Sequence, residues 1–256
     1  IHNHILFGID DGSNDIEESI RIIQEAVKNG YTDLVLTPHY REKEGYICDN
    51  RKKYRIFKTL KQEVENRNIK INLYLGNEIT LDEDFFYYLK TNQLLSLNDS
   101  KYLLLELPFQ TKFDELYDVV EDLRKLDLVP IIAHPERYEA YHIEEYQKLI
   151  YEGVLFQGNI GSLYGKYGIK AKTKLEEMLK RHMVHFIGSD THHDGQTSYS
   201  RIHDVVERVE ELTGSREMAL ELVDKNINRV IHNEELNAYR MREKKQGLKI
   251  LKIFNK

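Results

Sequence analysis

The sequence predicts an α/β fold built on a parallel sheet. Three features point that way: seven short runs rich in Val, Ile and Leu, amphipathic stretches of helical period between them, and a length of 256 residues. An open doubly wound sheet and a barrel both satisfy this pattern. Seven units favour an irregular barrel, and barrels of about 200–250 residues form one domain.

The runs are His2–Phe7, Asp33–Thr37, Ile71–Leu75, Tyr102–Leu107, Val129–Ala133, Val154–Gln157 and His185–Gly188, each of a length suited to a buried strand. After the first, Ile16, Ile20, Ile23 and Val27 recur at helical spacing. Asp15 with Glu18 three residues on resembles a capping box, and Gly30 suits the C′ stop. Leu116, Val119, Val120 and Leu123 predict another helix, and Ile202, Val205, Val206 and Val209 a later one. Phe85-Phe86-Tyr87-Tyr88-Leu89 reads as core and helix surface rather than a binding box. No repeat or Gly/Ser linker divides residues 1–238, which are expected to form one domain. Residues 239–256 differ: this tail holds seven Lys/Arg and one acid, leaving 30 bases against 42 acids in 1–238. It is expected to pack as a helix with solvated lysines; the alternative is a weak membrane-surface contact.

Composition narrows the function. Charged residues at 31% and hydrophobic ones at 41% describe a chain that buries a core. A net charge of −6 disfavours a dedicated nucleic-acid binder. One cysteine excludes an intrachain disulfide framework and suits a reducing cytosol, so a cytoplasmic protein is expected. No apolar run has the length of a membrane span, and no signal-peptide core opens the sequence. Cys48 is followed by Tyr54 where a Cys-x5-Arg phosphatase loop needs arginine, so a cysteine route looks closed.

The 11 histidines of this acidic chain are informative by position. His2 and His4 sit two apart on the first run, a spacing that puts both on one face of a strand. His39 and Glu78 follow the second and third runs, and Glu106 and His134 close the fourth and fifth. Asp190 and His192 follow the seventh, and Asp11 lies just after the first. In a parallel α/β fold these ends converge on one mouth. So many imidazoles and carboxylates exceed what one ion needs and suit two or three divalent metals. Without thiolates, the set suits Zn, Mn or Fe more than Ca or Mg. Such a cluster makes hydroxide at neutral pH and clamps a phosphoryl group, and Arg137 is the natural phosphate clamp.

At these residues the chain resembles the PHP (polymerase and histidinol phosphatase) family. Within it, the likeness is to the manganese-dependent protein-tyrosine phosphatases of bacterial capsule and exopolysaccharide loci. It runs from Ile-His-Asn-His-Ile-Leu-Phe-Gly-Ile-Asp-Asp-Gly (1–12) through Thr-Pro-His (37–39), Gly-Asn-Glu (76–78), Ile-Ala-His-Pro-Glu-Arg-Tyr (132–138), Asn-Ile-Gly-Ser-Leu (159–163) and Ser-Asp-Thr-His (189–192), to about residue 231. The resemblance implies a distorted seven-stranded barrel of the PHP type holding three metals, manganese first and Fe or Zn as alternatives. It implies His2, His4, Glu78 and Asp190 on one metal, Glu78, Glu106 and His134 on a second, and Asp11, His39 and His192 on the third. It implies Arg137 on the phosphate, attack by metal-activated hydroxide, and a phosphotyrosine substrate on a membrane-tethered bacterial tyrosine kinase that controls polysaccharide assembly. It also implies a homo-oligomer, with Glu17-Glu18-Ser19 through Arg21 as the segment to inspect.

The sequence departs from the family pattern where members place an Arg and this chain has Gln196, and where His193 replaces an Asn. Other readings are a small-molecule phosphatase of the histidinol-phosphatase kind, a nuclease, and a metal-stabilised scaffold that binds the kinase without catalysis.

Overall fold

A computed structural model describes residues 1–195 and 199–236. Gln196 and the basic tail at 239–256, with the boundary at 238, lie outside the described residues.

The helix predicted first is α1 (Ile16–Lys28), with Asp15 as N-cap accepting from the Glu18 N–H and Gly30 at φ +88° just past its end. Only half of the capping box forms, because the Glu18 carboxylate turns to Asn14, His193 and Asp194 instead. Then follow β1 (Asp33–Leu36), β2 (His39–Tyr40), α2 (Asn50–Asn66), β3 (Asn72–Leu75), β4 (Glu78–Thr80), α3 (Phe85–Lys90) and β5 (Tyr102–Glu106). In α3, Phe85 is buried and Tyr87 is exposed, the mixed core and surface role expected. The chain continues through α4 (Phe113–Lys125), β6 (Val129–Ala133), α5 (Ile143–Tyr151), β7 (Leu155–Asn159), α6 (Ile160–Leu163), α7 (Gly168–Lys180) and β8 (Phe186–Gly188). It closes with α8 (Ile202–Thr213), α9 (Arg216–Leu220) and α10 (Asn226–Ile231).

All strand pairs are parallel, in two sheets: β1-β3, and β2-β4-β5-β6-β7-β8. A mixed α/β architecture with parallel sheets is therefore present, but among the described residues no closed seven-stranded barrel is found. Two sequence expectations change with it. Runs two and three each end in a break, at Thr37-Pro38 and Gly76-Asn77, beyond which a second short strand follows. Pro38 has no N–H for a ladder, and a Cβ at Gly76 would lie 2.8 Å from Leu97 Cδ2. Past the breaks, the strands re-pair with His39 directly opposite Glu78.

The first run forms no strand. Among the described residues its only ladder feature is a bridge between Asn3 and Thr191. The segment threads between two strand ends: Thr37 N–H donates to Asn3 O at 3.0 Å, and His4 N–H donates to Thr191 O at 2.8 Å. The His4 carbonyl accepts from Ser13 N–H, so the chain doubles back at once. A Cβ at Gly12 would come within 2.0 Å of that carbonyl, which leaves room only for glycine. His2 itself adopts φ +66°, incompatible with a regular strand.

The apolar residues gather in two clusters, one around the six-stranded sheet and one joining β1, β3, α1 and α2. Among the described residues no helix is long and apolar enough to cross a membrane.

Candidate metal centre

The strand ends and the irregular N-terminal segment bring His2, His4, Asp11, His39, Glu78, Glu106, His134, Asp190 and His192 together in four overlapping groups, each with ligand atoms within 4.8 Å of one another. Glu78, opening β4, is central. Its oxygens lie 3.2 Å from His2 Nε2, 3.3 Å from His4 Nε2, 3.0 Å from His39 Nδ1 and 3.1 Å from His134 Nε2. Asp190 Oδ1 lies 3.3 Å from His2 Nε2 and 3.5 Å from His4 Nε2. Glu106 Oε1 is 3.8 Å from His134 Nε2. Asp11 Oδ1 faces His39 Nε2 at 3.6 Å and His192 Nε2 at 3.8 Å.

The far sides of these groups are held from behind. Nδ1 of His2 donates to Gln157 Oε1 at 2.5 Å, and Nδ1 of His4 to Asp10 Oδ2 at 2.7 Å, which turns both Nε2 atoms inward. Asp10 also accepts from Gly12 N–H and His39 N–H. Tyr138 Oη is 3.3 Å from His134 Nδ1, and Asn159 Nδ2 donates to Asp190 Oδ2 at 2.7 Å. The second oxygen of Glu106 faces the Arg41 guanidinium and Thr80. Such partners set tautomer and ring orientation in metal sites.

Four of the inward atoms are left without hydrogen bonds, while His134 Nε2 pairs with Glu78 Oε1. His2 Nε2, His4 Nε2, His39 Nδ1 and Glu78 Oε2 are buried and have no hydrogen-bond partner. Contacts near 3 Å between donors without hydrogen-bond alignment match the spacing of atoms that share an ion about 2.1 Å away. Burial opposes charge on His2 and His4, yet Glu78 and Asp190 around the first, and Asp10, Asp190 and Glu78 around the second, outweigh it and raise both rings. Burial likewise works against an ionised Glu78 or Asp190, but the surrounding imidazoles hold both carboxyls well below the ordinary range. His192 goes the other way, lowered to about 4 by burial and by His4. The carboxylates thus demand cationic neighbours, and divalent ions fit that demand and the mixed N/O donor set.

The backbone is strained at these positions: His2, His134 and Asp190 have φ of +66°, +34° and +50°. Left-handed non-glycine residues cost on the order of 1 kcal/mol each and cluster at functional sites.

Arg137 ends a short turn, Pro135–Arg137, directly after His134. Its guanidinium lies over the Tyr167 ring, 4.6 Å from the centroid, with Nη1 3.9 Å from Asp190 Oδ2. Buried Glu136 fixes the turn by accepting from Asn159 N–H and Ser162 Oγ. Cys48 is buried outside the cluster, and burial pushes its thiol up, away from a nucleophilic state.

Sequence reasoning did not find Asp10, Gln157, Tyr138, Tyr167 or Arg41. Asp10 sits beside Asp11 and Tyr138 within a quoted motif, so a signal existed. For Gln157 and Arg41 the partner lies 155 and 65 residues away, and no local pattern marks them.

Residues 1–232 match the family model "Capsular polysaccharide synthesis, CpsB/CapC". The chain is 30% identical over 199 residues to the tyrosine-protein phosphatase CpsB of Streptococcus agalactiae serotype V, covering 75% of this chain and 82% of that one. It is 32% identical over 196 residues to the tyrosine-protein phosphatase YwqE of Bacillus subtilis, covering 75% and 76%. Its fold superposes with TM-score 0.78 and 28% identity on a crystal structure from work on YwqE of Bacillus subtilis and CpsB of Streptococcus pneumoniae, described as unique metal-dependent tyrosine phosphatases, over 92% of this chain and 95% of that one.

Proposed function

The chain belongs to the CpsB/CapC capsular polysaccharide synthesis family, and on that premise we propose that it is a metal-dependent tyrosine-protein phosphatase acting at this cluster. The observation that carries the proposal is the set of buried donor atoms that face one another without hydrogen bonds while their far sides are held. His2, His4, Glu78 and Asp190 would hold one ion, Glu78, Glu106 and His134 a second, and Asp11, His39 and His192 a third. Manganese is the proposed metal, and residues 1–238 form the active unit.

Bound there, divalent metals supply Lewis acidity and a water activated near neutral pH. The chain's own groups do the rest. Arg137 presents two parallel N–H donors to the phosphate, with its plane set by Tyr167 and its position by the Glu136 anchor. Gln157 and Asp10 keep His2 and His4 facing inward. With three divalent ions bound, their charge would exceed that of the four ligand carboxylates and the buried Asp10, so the pocket would favour phosphate although the chain is acidic overall. A phenolate, with an ordinary pKa of about 10, leaves with less protonation than an alkoxide. The substrate is phosphotyrosine on a bacterial tyrosine kinase of capsule synthesis, met in the cytoplasm. For self-association through α1 the outward groups are Glu17 and Arg21, since Glu18 and Ser19 are buried.

Turnover of a phosphotyrosine peptide and of histidinol phosphate, each with Mn²⁺ and with a chelator, tests this. The peptide should be hydrolysed only with metal, and Arg137→Ala should lower kcat/KM by about 10²-fold. Chelator-resistant turnover, or a preference for histidinol phosphate, would overturn the reading.

A further inference from the structure

Buried Glu18 joins two loops that approach the cluster from opposite ends of the sequence. Its Oε2 accepts from the backbone N–H of Asn14 at 2.8 Å and from Asn14 Nδ2 at 3.0 Å, which fixes the loop that follows Asp11. Its Oε1 accepts from His193 Nδ1 at 3.0 Å and from the Asp194 N–H at 3.4 Å, which fixes the loop that carries His192. Glu18 is 6% exposed and sits in the first turn of α1, where the helix dipole favours a carboxylate. Burial raises its carboxyl, but the donors around it outweigh burial and hold it below the ordinary glutamate range. Asp11 and His192 are the two groups these loops supply to the set His4, Asp11, His39 and His192.

We propose that Glu18 is a positioning residue that staples the Asp11 loop to the His192 loop and so sets the affinity of the third metal, leaving the other two to the floor of the site. This rests on the metal assignment under Proposed function. His193 is one arm of the staple, and an asparagine there would keep a donor for the same carboxylate.

Titration of the metal-free protein with Mn²⁺, read as metal bound per chain, tests the staple without reference to turnover. Wild type should take up three ions. Glu18→Gln places an amide against one pair of donors, and should weaken one ion of the three by about 10–100-fold while the other two keep their affinity. His193→Ala, a milder change, should weaken the same ion by less, and His193→Asn should restore it. Glu17→Gln, on the outward side of the helix, serves as the control and should bind as wild type does. Three ions at unchanged affinity in Glu18→Gln, or equal loss of all three in a folded variant, would overturn the staple. Fewer than three ions in wild type would instead overturn the assignment on which it rests.

Discussion

At the floor of the site, His2, His4 and Glu78 are at most 1% exposed, whereas at the rim the side chains of Asp11 and His192 are 47% and 23% exposed. The floor is held by side chains behind its ligands: Gln157 and Asn159 of β7 behind His2 and Asp190, and the nearby loop residue Asp10 behind His4. It also stores backbone strain at His2, His134 and Asp190. The rim is held by loop ties, of which Glu18 is the buried one and Arg21–Asp194 an exposed one. The floor should therefore keep its geometry whether or not metal is bound, while the rim depends on how two loops meet. Glu78 links the halves, since His39 reaches both its oxygen and Asp11.

The largest expected effect comes from breaking that link. Glu78→Gln removes the one carboxylate that faces four imidazoles, and turnover should fall by more than the roughly 100-fold upper value for losing an outer partner. Metal analysis should show ions lost from both halves. Loss of a single ion, with activity within tenfold of wild type, would mean that floor and rim are independent.

A second effect lies beneath the junction. Lys53 is fully buried, donates to Asn77 Oδ1 at 2.7 Å, and lies over the Tyr40 ring. Asn77 in turn donates to Pro38 O, so this lysine underpins the place where both strands break. Burial lowers its pKa to about 8 from 10.5. The unfolded chain then binds more protons than the folded one between those values, so stability rises with pH across pH 8 to 10.5, and the cost is fully present below pH 8. The shift corresponds to roughly 3 kcal/mol. Denaturation of Lys53→Met across this range should lack the rise seen in wild type; tyrosines titrating in both proteins cancel in the difference. Parallel curves for the two proteins would refute a buried charged lysine.

The smallest effect sharpens the comparison. Gln157→Leu leaves His2 Nδ1 without its acceptor and should weaken a floor ion by about 10–100-fold without touching the rim ion. Weakening of the rim ion as well would show that the floor supports the whole cluster.

Much of the site was legible before the structure because its residue types break the local pattern. Carboxylates and imidazoles at the ends of apolar runs are costly unless they pair with each other or with metal. The spacing of Ile16, Ile20, Ile23 and Val27 likewise gave α1, since a helix is a local structure with a local period. His2–Phe7 misled for the same reason: its apolar character is real, with Ile5 and Leu6 fully buried, but burial by itself does not choose a ladder. The ties of that segment to Thr37, Thr191 and Ser13 depend on where other parts of the chain lie.

The amino-acid order alone thus determined which side chains gather in the cluster, because periodicity and misplaced polar residues are properties of short windows. Only the tertiary structure decided that the first run is not a strand, that two strands break together to set His39 against Glu78, and which atom of each ring faces inward. Those choices depend on hydrogen bonds such as Gln157 to His2 and Glu18 to His193, between residues 155 and 175 positions apart, and contacts of that range leave no period in the sequence.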